Sequence, residues 1–323
     1  LKILFITSSP LGDAVLTTGL LDHLIKIYPK CDVTVACGPL PAPVFENVPE
    51  VREIIPLKKQ KHSRHWLELW KKVSRTRWDI VVDLRNSIVS RLIFAKKRYI
   101  FGPHIDRSLH KVEQNAAVMG LSPPPPPRLW LSDEQCRKAE KLVPEGGPVL
   151  GIGPTANWQG KTWPPGCFIE LVAELIKPDG PMPFSRIAVF GAPGEEFQAK
   201  PVIGAFPMEM VVNLVGKTDP GTAGAALRRC AIYIGNDSGL MHMAAAAGIP
   251  TVGLFGPSYP HLYRPWGEHC IYVRTPEAFD ELIDYEGYDP ATAPCLMTSL
   301  EVDAVLPEIT KFLKKRKGAS EVK

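Results

Sequence analysis

Residues 231–255 read Ala-Ile-Tyr-Ile-Gly-Asn-Asp-Ser-Gly-Leu-Met-His-Met-Ala-Ala-Ala-Ala-Gly-Ile-Pro-Thr-Val-Gly-Leu-Phe. Two short apolar runs, at 231–235 and 251–255, flank a stretch of small residues at 239–247 that carries no proline. The pattern predicts strand, helix, strand, the unit from which parallel sheets are built. Asn236, Asp237 and Ser238 stand where the first strand hands over to the helix. Asp or Ser at that place can cap the helix. Its exposed amides and its dipole also offer a place for a phosphate or pyrophosphate. Gly239 and the alanines let the helix lie close to the sheet, so that a ligand can reach the backbone. His242, one turn inside, adds a polar group at the same mouth. A capped helix with no ligand is the plainer reading of the same residues.

Outward from this unit, the second half repeats the alternation. Strands are expected at 148–153 and 186–191, helices at 168–176 and 221–229, and a closing helix with a frayed tail at 302–317. The first half does the same, with strands at 2–7, 32–36 and 78–84. Its helices are expected at 13–28, where Val15, Leu16, Leu20, Leu24 and Ile27 recur at helical spacing, and at 66–73. Tyr28-Pro29 ends the first of these. Five consecutive prolines, Pro123–Pro127, break the pattern, and Leu129-Trp130-Leu131 reads as one last strand before a short helix from Ser132. Glu145-Gly146-Gly147-Pro148 makes a hinge. The expected fold class is therefore α/β, two Rossmann-like parallel-sheet domains at 1–145 and 146–300, with a C-terminal helix and tail at 301–323 packing back toward the first.

Composition bounds the rest. The chain has 323 residues, 45% of them hydrophobic and 22% charged, enough for two cores. No run approaches the roughly 20 apolar residues of a membrane span. The start, Leu1-Lys2-Ile3-Leu4-Phe5-Ile6-Thr7, reads as a strand and not as a signal peptide, so a cytoplasmic location is expected. The seven cysteines are scattered without a C-x-x-C pair, which argues for buried thiols over a metal site or a disulfide framework. Charge is uneven: residues 1–120 carry 19 Lys and Arg against 11 Asp and Glu, the remainder 19 against 23. The basic first half suits an anionic partner, whether nucleic acid, an acidic membrane surface or a phosphorylated glycolipid. A solvated surface explains it too.

Three further segments follow strands. Gly153-Pro154-Thr155-Ala156-Asn157-Trp158-Gln159-Gly160-Lys161-Thr162-Trp163-Pro164 leaves a strand where open α/β sheets bind ligands, and Lys161 can neutralise a diphosphate leaving group. Gly191-Ala192-Pro193-Gly194-Glu195-Glu196 offers a carboxylate that suits a ribose diol; two solvated glutamates opening a helix fit equally. Ser8-Ser9-Pro10-Leu11-Gly12-Asp13 places Asp13 at the start of a helix, as proton acceptor for a hydroxyl or as a cap.

These residues together resemble glycosyltransferase family nine, the lipopolysaccharide heptosyltransferases of Gram-negative bacteria, over nearly the whole chain. The resemblance rests on Leu11-Gly12-Asp13-Ala14-Val15-Leu16-Thr17, Asp79-Ile80-Val81-Val82-Asp83-Leu84, Lys161-Thr162-Trp163-Pro164, Asn213-Leu214-Val215-Gly216-Lys217-Thr218, residues 235–247 and Phe255-Gly256-Pro257. The form of the Asn-Asp-Ser-Gly-Leu-Met-His block is closer to the second heptosyltransferase than to the first. The resemblance implies a GT-B fold, its two domains facing across a cleft, and an inverting single displacement that uses no metal or other cofactor. It implies Asp13 as general base and Lys161 as the group stabilising the departing diphosphate. Asp237, Ser238, Gly239, Leu240 and His242 would line the donor site, with Glu195 near the ribose and Thr155 near the phosphates. The donor would be a nucleotide-sugar, ADP-linked heptose foremost, and the acceptor a lipid-linked anionic glycan.

The basic connection at 58–65 departs from the pattern, and Lys58, Lys61 and Arg64 are its candidates for holding acidic groups of that acceptor. Peripheral contact with the cytoplasmic face of the inner membrane, no nucleic-acid partner and a monomer are expected. A sugar-nucleotide epimerase of the same architecture, and a non-catalytic nucleotide- or glycan-binding protein, are the alternatives. A nicotinamide enzyme would need Gly-x-Gly-x-x-Gly after the first strand, where Ser-Ser-Pro-Leu-Gly-Asp stands.

Overall fold

The computed structural model describes residues 1–289 and 292–321, with side chains through residue 316. The chain divides into two units, Leu1–Ser132 and Asp133–Lys323. The architecture is GT-B, with a parallel α/β sheet in each unit. Among the described residues no helix is long and apolar enough to cross a membrane.

Unit 1 contains β1 (Lys2–Ile6), α1 (Leu11–Val15), α2 (Thr18–Ile27), β2 (Asp32–Cys37), β3 (Val51–Pro56), α3 (Arg64–Val73), β4 (Trp78–Asp83), α4 (Val89–Leu92), β5 (Ala95–Ile100) and α5 (Lys111–Ala117). Its strand order is β3-β2-β1-β4-β5, and each neighbouring pair is parallel. The chain steps from β1 to β3 in one direction, then returns to place β4 on the other side of β1. That reversal leaves a crevice at the C-terminal ends of β1 and β4. Leu69 and Val73 of α3 and Val89 of α4 pack with Leu4, Ile6 and Val81 of the sheet in one apolar cluster.

Unit 2 contains α6 (Asp133–Leu142), β6 (Val149–Gly153), α7 (Pro165–Ile176), β7 (Arg186–Val189), α8 (Glu196–Gly204), β8 (Val211–Asn213), α9 (Pro220–Leu227), β9 (Ile232–Asn236), α10 (Gly239–Ala246), β10 (Thr251–Phe255), α11 (Pro260–Tyr263), β11 (Cys270–Arg274), α12 (Phe279–Ile283) and α13 (Val302–Glu321). The strand order β11-β10-β9-β6-β7-β8 again reverses, here between β6 and β9. The core joins Leu150 and Ile152 of β6, Ile232 and Ile234 of β9, Phe168 and Leu171 of α7, and Val305 and Ile309 of α13.

The structure revises several expectations. The helix expected over 13–28 breaks into α1 and α2, because two adjacent threonines turn their hydroxyls back on it. Thr17 Oγ1 donates to the Ala14 carbonyl and Thr18 Oγ1 to that of Val15, each at 2.7 Å. Residues 129–131 form no strand. They follow the proline run, which lies along α2 and leaves no sheet edge to pair with. Gly19 is what permits that approach, since a Cβ there would meet the carbonyl oxygens of Pro125 and Pro126. The units part at Ser132/Asp133 and not at 145/146, because α6 packs on α9, where Gly221 lies under the Gln135 side chain. The C-terminal helix contacts α7 and β11 and contributes Val302, Val305, Ile309 and Phe312 to the core of unit 2. It runs to Glu321, and residues 322 and 323 of the expected tail lie outside the described residues.

Gly19→Val sets a side chain against carbonyls that cannot retreat without moving the proline run. It is expected to destabilise unit 1 by about 1–3 kcal/mol, the usual cost of overpacking, read as a lowered thermal midpoint.

Candidate functional site

In unit 2 the ends of β6 and β9 sit side by side, with Gly153 opposite Gly235 in the register. Tyr233, two residues before Gly235 and so on the same face, lays its ring over both glycines; a Cβ at either would collide with its hydroxyl. Burial pushes that hydroxyl's pKa up, with Glu195 adding to the effect and Ser238 opposing it. The group therefore stays protonated beside the mouth of the sheet.

The two loops that leave these strands meet through one ion pair. Lys161, in the 3₁₀ turn Gln159–Lys161 after β6, places Nζ 2.6 Å from Asp237 Oδ2, directly after β9. Asp237 is 6% exposed and Lys161 25%, so the pair is sheltered while the ammonium keeps an open side. Three contacts fix the Lys161 loop. The Trp163 amide donates to Asn236 Oδ1 at 3.1 Å, the Leu296 amide to the Gly160 carbonyl at 3.1 Å, and Cys295 Sγ to the Thr162 carbonyl at 3.0 Å. The Trp163 indole is itself buried and donates to the Leu300 carbonyl at 2.7 Å.

Ser238 occupies the N-cap position of α10 in extended conformation, yet its side chain makes no capping bond. The cap expected from Asp or Ser is thus absent: Asp237 is committed to Lys161, and the buried Ser238 Oγ acts on the Tyr233 hydroxyl instead of an α10 amide. The first turn of α10 is left with its amides and dipole uncapped by any side chain, beside an ammonium group. Gly239 and Leu240 are half-buried on this turn, and His242 is buried with Nε2 3.9 Å from Asp237 Oδ1, too far for a hydrogen bond.

Glu195 reaches the same edge of the sheet from the loop after β7. Its Oε2 accepts from Thr155 Oγ1 at 2.5 Å and from the Ala192 amide at 2.8 Å. Thr155 thus holds the carboxylate that the sequence paired with a ribose. The structure brings Thr155, Lys161, Glu195, Asp237, Ser238, Gly239, Leu240 and His242 to the C-terminal edge of three neighbouring strands, β7, β6 and β9. Sequence reading passed over Tyr233, and gave Asn236 and Trp163, although they stand within its motifs, no part in holding the site. A tyrosine two places from a glycine on one strand face was the available signal for the first; the others act through contacts 73 and 137 residues away.

In unit 1 Asp13 lies in the first turn of α1, whose N-cap is Pro10, so the carboxylate is not the cap. It stands at the reversal between β1 and β4. Lys111, the first residue of α5, lies close enough to interact with it electrostatically; burial lowers the Lys111 pKa, Asp13 opposes this and Arg107 adds to it. Nothing in the sequence pointed to Lys111. Lys58, Lys61 and Arg64 are all exposed after the C-terminal end of β3, two strands from β1, or about 10 Å at ordinary strand spacing. They share an edge of the sheet with Asp13. Burial pushes the Cys37 and Cys230 thiols up to about 12, as inert apolar groups.

Comparison with known proteins bears on the family and the fold. Residues 96–282 match the model of glycosyltransferase family 9 (heptosyltransferase). The chain is 27% identical to lipooligosaccharide heptosyltransferase 2 of Haemophilus influenzae over 311 residues, covering 85% of this chain and 88% of that protein. It superposes on the structure of the Escherichia coli ADP-heptose lps heptosyltransferase II with TM-score 0.73 at 25% identity, covering 98% and 100% of the two chains. The family 9 glycosyltransferase structure from Veillonella parvula gives TM-score 0.77 at 22% identity, over 97% of each chain.

Asn236→Ala removes the acceptor for the buried Trp163 amide and loosens the loop that carries Lys161. We expect a loss of about 1–3 kcal/mol in stability, the cost of an unsatisfied buried donor, together with weaker binding of nucleoside diphosphate in calorimetry.

Proposed function

The chain belongs to glycosyltransferase family 9, and from that premise we propose that it moves a heptose or related sugar from an ADP-linked donor to a lipopolysaccharide core or similar surface-glycan acceptor. The observation that carries the reading is the Lys161–Asp237 pair beside the uncapped start of α10, at the reversal of strand order in unit 2. Ammonium, amides and helix dipole together form a place for a diphosphate. The likeness to the Escherichia coli ADP-heptose heptosyltransferase supports the donor nucleotide, and that to the Haemophilus lipooligosaccharide enzyme supports the acceptor. Membership of a transferase family favours transfer over epimerisation or binding alone.

The reaction is a single displacement without metal. An acceptor hydroxyl attacks the anomeric carbon of the donor sugar while Asp13 takes its proton. The bond from that carbon to the diphosphate oxygen breaks, and its electron pair leaves on the diphosphate. The configuration inverts because the nucleophile enters opposite the leaving group. Lys161 and the first amides of α10 meet the charge that develops on the departing oxygen, the role a divalent cation plays elsewhere. Asp237 aims Lys161 through the 2.6 Å bond. Both bonds that fix Glu195 fall on Oε2, which directs Oε1 to a ribose diol. Lys111 favours the ionised, proton-accepting form of Asp13. Lys58, Lys61 and Arg64 attract acidic groups of a lipid-linked acceptor, and the enzyme works in the cytoplasm, in peripheral contact with the inner membrane.

Asp13→Ala is expected to lower kcat by about 10²–10⁴-fold with ADP affinity unchanged. Retention of more than about a tenth of wild-type turnover would remove the base assignment. Lys161→Ala should weaken ADP binding about tenfold or more, since charge-assisted hydrogen bonds contribute about 1.5–3 kcal/mol; equal affinity by calorimetry would end its phosphate role. Lys111→Met withdraws a positive charge from the neighbourhood of Asp13. The acid limb of the kcat/KM profile should then move to higher pH, because the carboxylate is easier to protonate.

A further inference from the structure

Helices α3 and α4 lie in contact on one face of the unit 1 sheet and turn large apolar side chains outward. Leu67 is 52% exposed and Trp70 37% on α3; Ile88 is 57% exposed, Leu92 63% and Phe94 54% on and beside α4. None is needed for the core, which Leu69, Val73, Val89 and Ile93 already fill. Isolated exposed apolar residues are ordinary, but five on and beside two adjacent short helices mark a surface with a partner.

The charge around them identifies its chemistry. Residues 58–98 carry 13 Lys and Arg, every one exposed, against Glu68, Asp79 and Asp83. The three acids are engaged locally: Glu68 accepts from Gln60, Asp79 pairs with Lys96 at 2.7 Å, and buried Asp83 accepts from Ser87. Basic and apolar groups interleave, as where the Arg77 guanidinium lies 5.7 Å from the centre of the Phe94 ring. A second copy of the same face would meet like charge. A nucleic acid would find phosphate partners, and Trp70 and Phe94 could stack on bases, but the three aliphatic side chains Leu67, Ile88 and Leu92, which are more than half exposed, would gain nothing from it. A bilayer with anionic headgroups satisfies both features, aliphatic side chains entering the acyl boundary and basic ones meeting phosphates.

We propose that the α3–α4 face of unit 1 is a docking surface for an anionic lipid bilayer, with Leu67, Trp70, Ile88, Leu92 and Phe94 entering the interface and the surrounding lysines and arginines holding the headgroups. This deepens the membrane contact proposed above and rests on that reading for its purpose, since it would bring Asp13 to a lipid-linked acceptor. Its test needs no acceptor.

The purified 323-residue chain is sedimented with vesicles of phosphatidylglycerol and phosphatidylethanolamine, and with vesicles of phosphatidylcholine alone. Binding is expected to the first only, and to fall as salt rises from about 0.1 M to about 1 M, where charges are screened beyond about 3 Å. Leu67→Ser with Leu92→Ser should weaken it about tenfold, and Lys71→Gln with Lys72→Gln about thirtyfold, at about one kilocalorie per mole for each basic residue. Circular dichroism confirms that both variants fold. Transfer to an acceptor stripped of its acyl chains should stay at the wild-type rate in Leu67→Ser/Leu92→Ser, whereas Asp13→Ala should bind vesicles normally and fail in transfer. The last pair separates failure of the docking proposal from failure of the catalytic one. The proposal is overturned by equal binding to both vesicle types or by unchanged binding of Leu67→Ser/Leu92→Ser. It is also overturned by displacement from vesicles with a short oligonucleotide, or by a wild-type dimer that the serine variant abolishes.

Discussion

Parallel pairing governs the layout of this protein. In a parallel sheet every strand must be re-entered from the same end, so each connection carries the chain back across a face. All strand ends of one kind then lie along one edge. In unit 2 that edge receives the loops after β6, β7 and β9, which bring Lys161, Glu195 and Asp237 together although they are separated by up to 76 residues. The reversal of strand order between β6 and β9 opens the edge at one place, because the neighbouring connections lead away on opposite faces. The ion pair of Lys161 and Asp237 closes the gap between the two loops at that place.

Much of the site is held by buried groups whose hydrogen bonds are internal. Asn236 and Trp163 tie the Lys161 loop to β9 and to the chain before α13, so the position of an ammonium group depends on the packing of the C-terminal helix. Tyr233 fills the space that two facing glycines leave and keeps the sheet mouth shaped around a phenol that cannot ionise at ordinary pH. The carboxylate next to the N-cap of α10 faces Lys161, and the N-cap residue Ser238 itself makes no side-chain cap bond.

Unit 1 follows the same rule with different contents. Asp13 stands at its reversal point as Lys161 and Asp237 do at theirs, which is why a carboxylate after the first strand was a legible signal. The break between α1 and α2 was less so. Thr17 and Thr18 satisfy helix periodicity as well as any residue of modest propensity, and only their actual rotamers, bonded to Ala14 and Val15, decide that the helix stops. The charged edge strands β3 and β5 were missed for a related reason. Val-Arg-Glu-Ile-Ile-Pro and Ala-Lys-Lys-Arg-Tyr-Ile lack the continuous apolar run of a central strand, because an edge strand is solvated along one side.

The sequence by itself determined the fold class, the parallel sheets and the side chains with chemistry to offer, because periodicity and the residue types at strand ends are local properties. It also determined the family, through blocks that keep their order along the chain. Tertiary structure decided the rest: that the proline run rests on Gly19, that α6 belongs with unit 2, that Lys111 lies near Asp13, and that Ser238 caps nothing. Each depends on which distant group arrives first at a donor, an acceptor or a bare patch of backbone. That competition is settled by packing, and no local pattern records it.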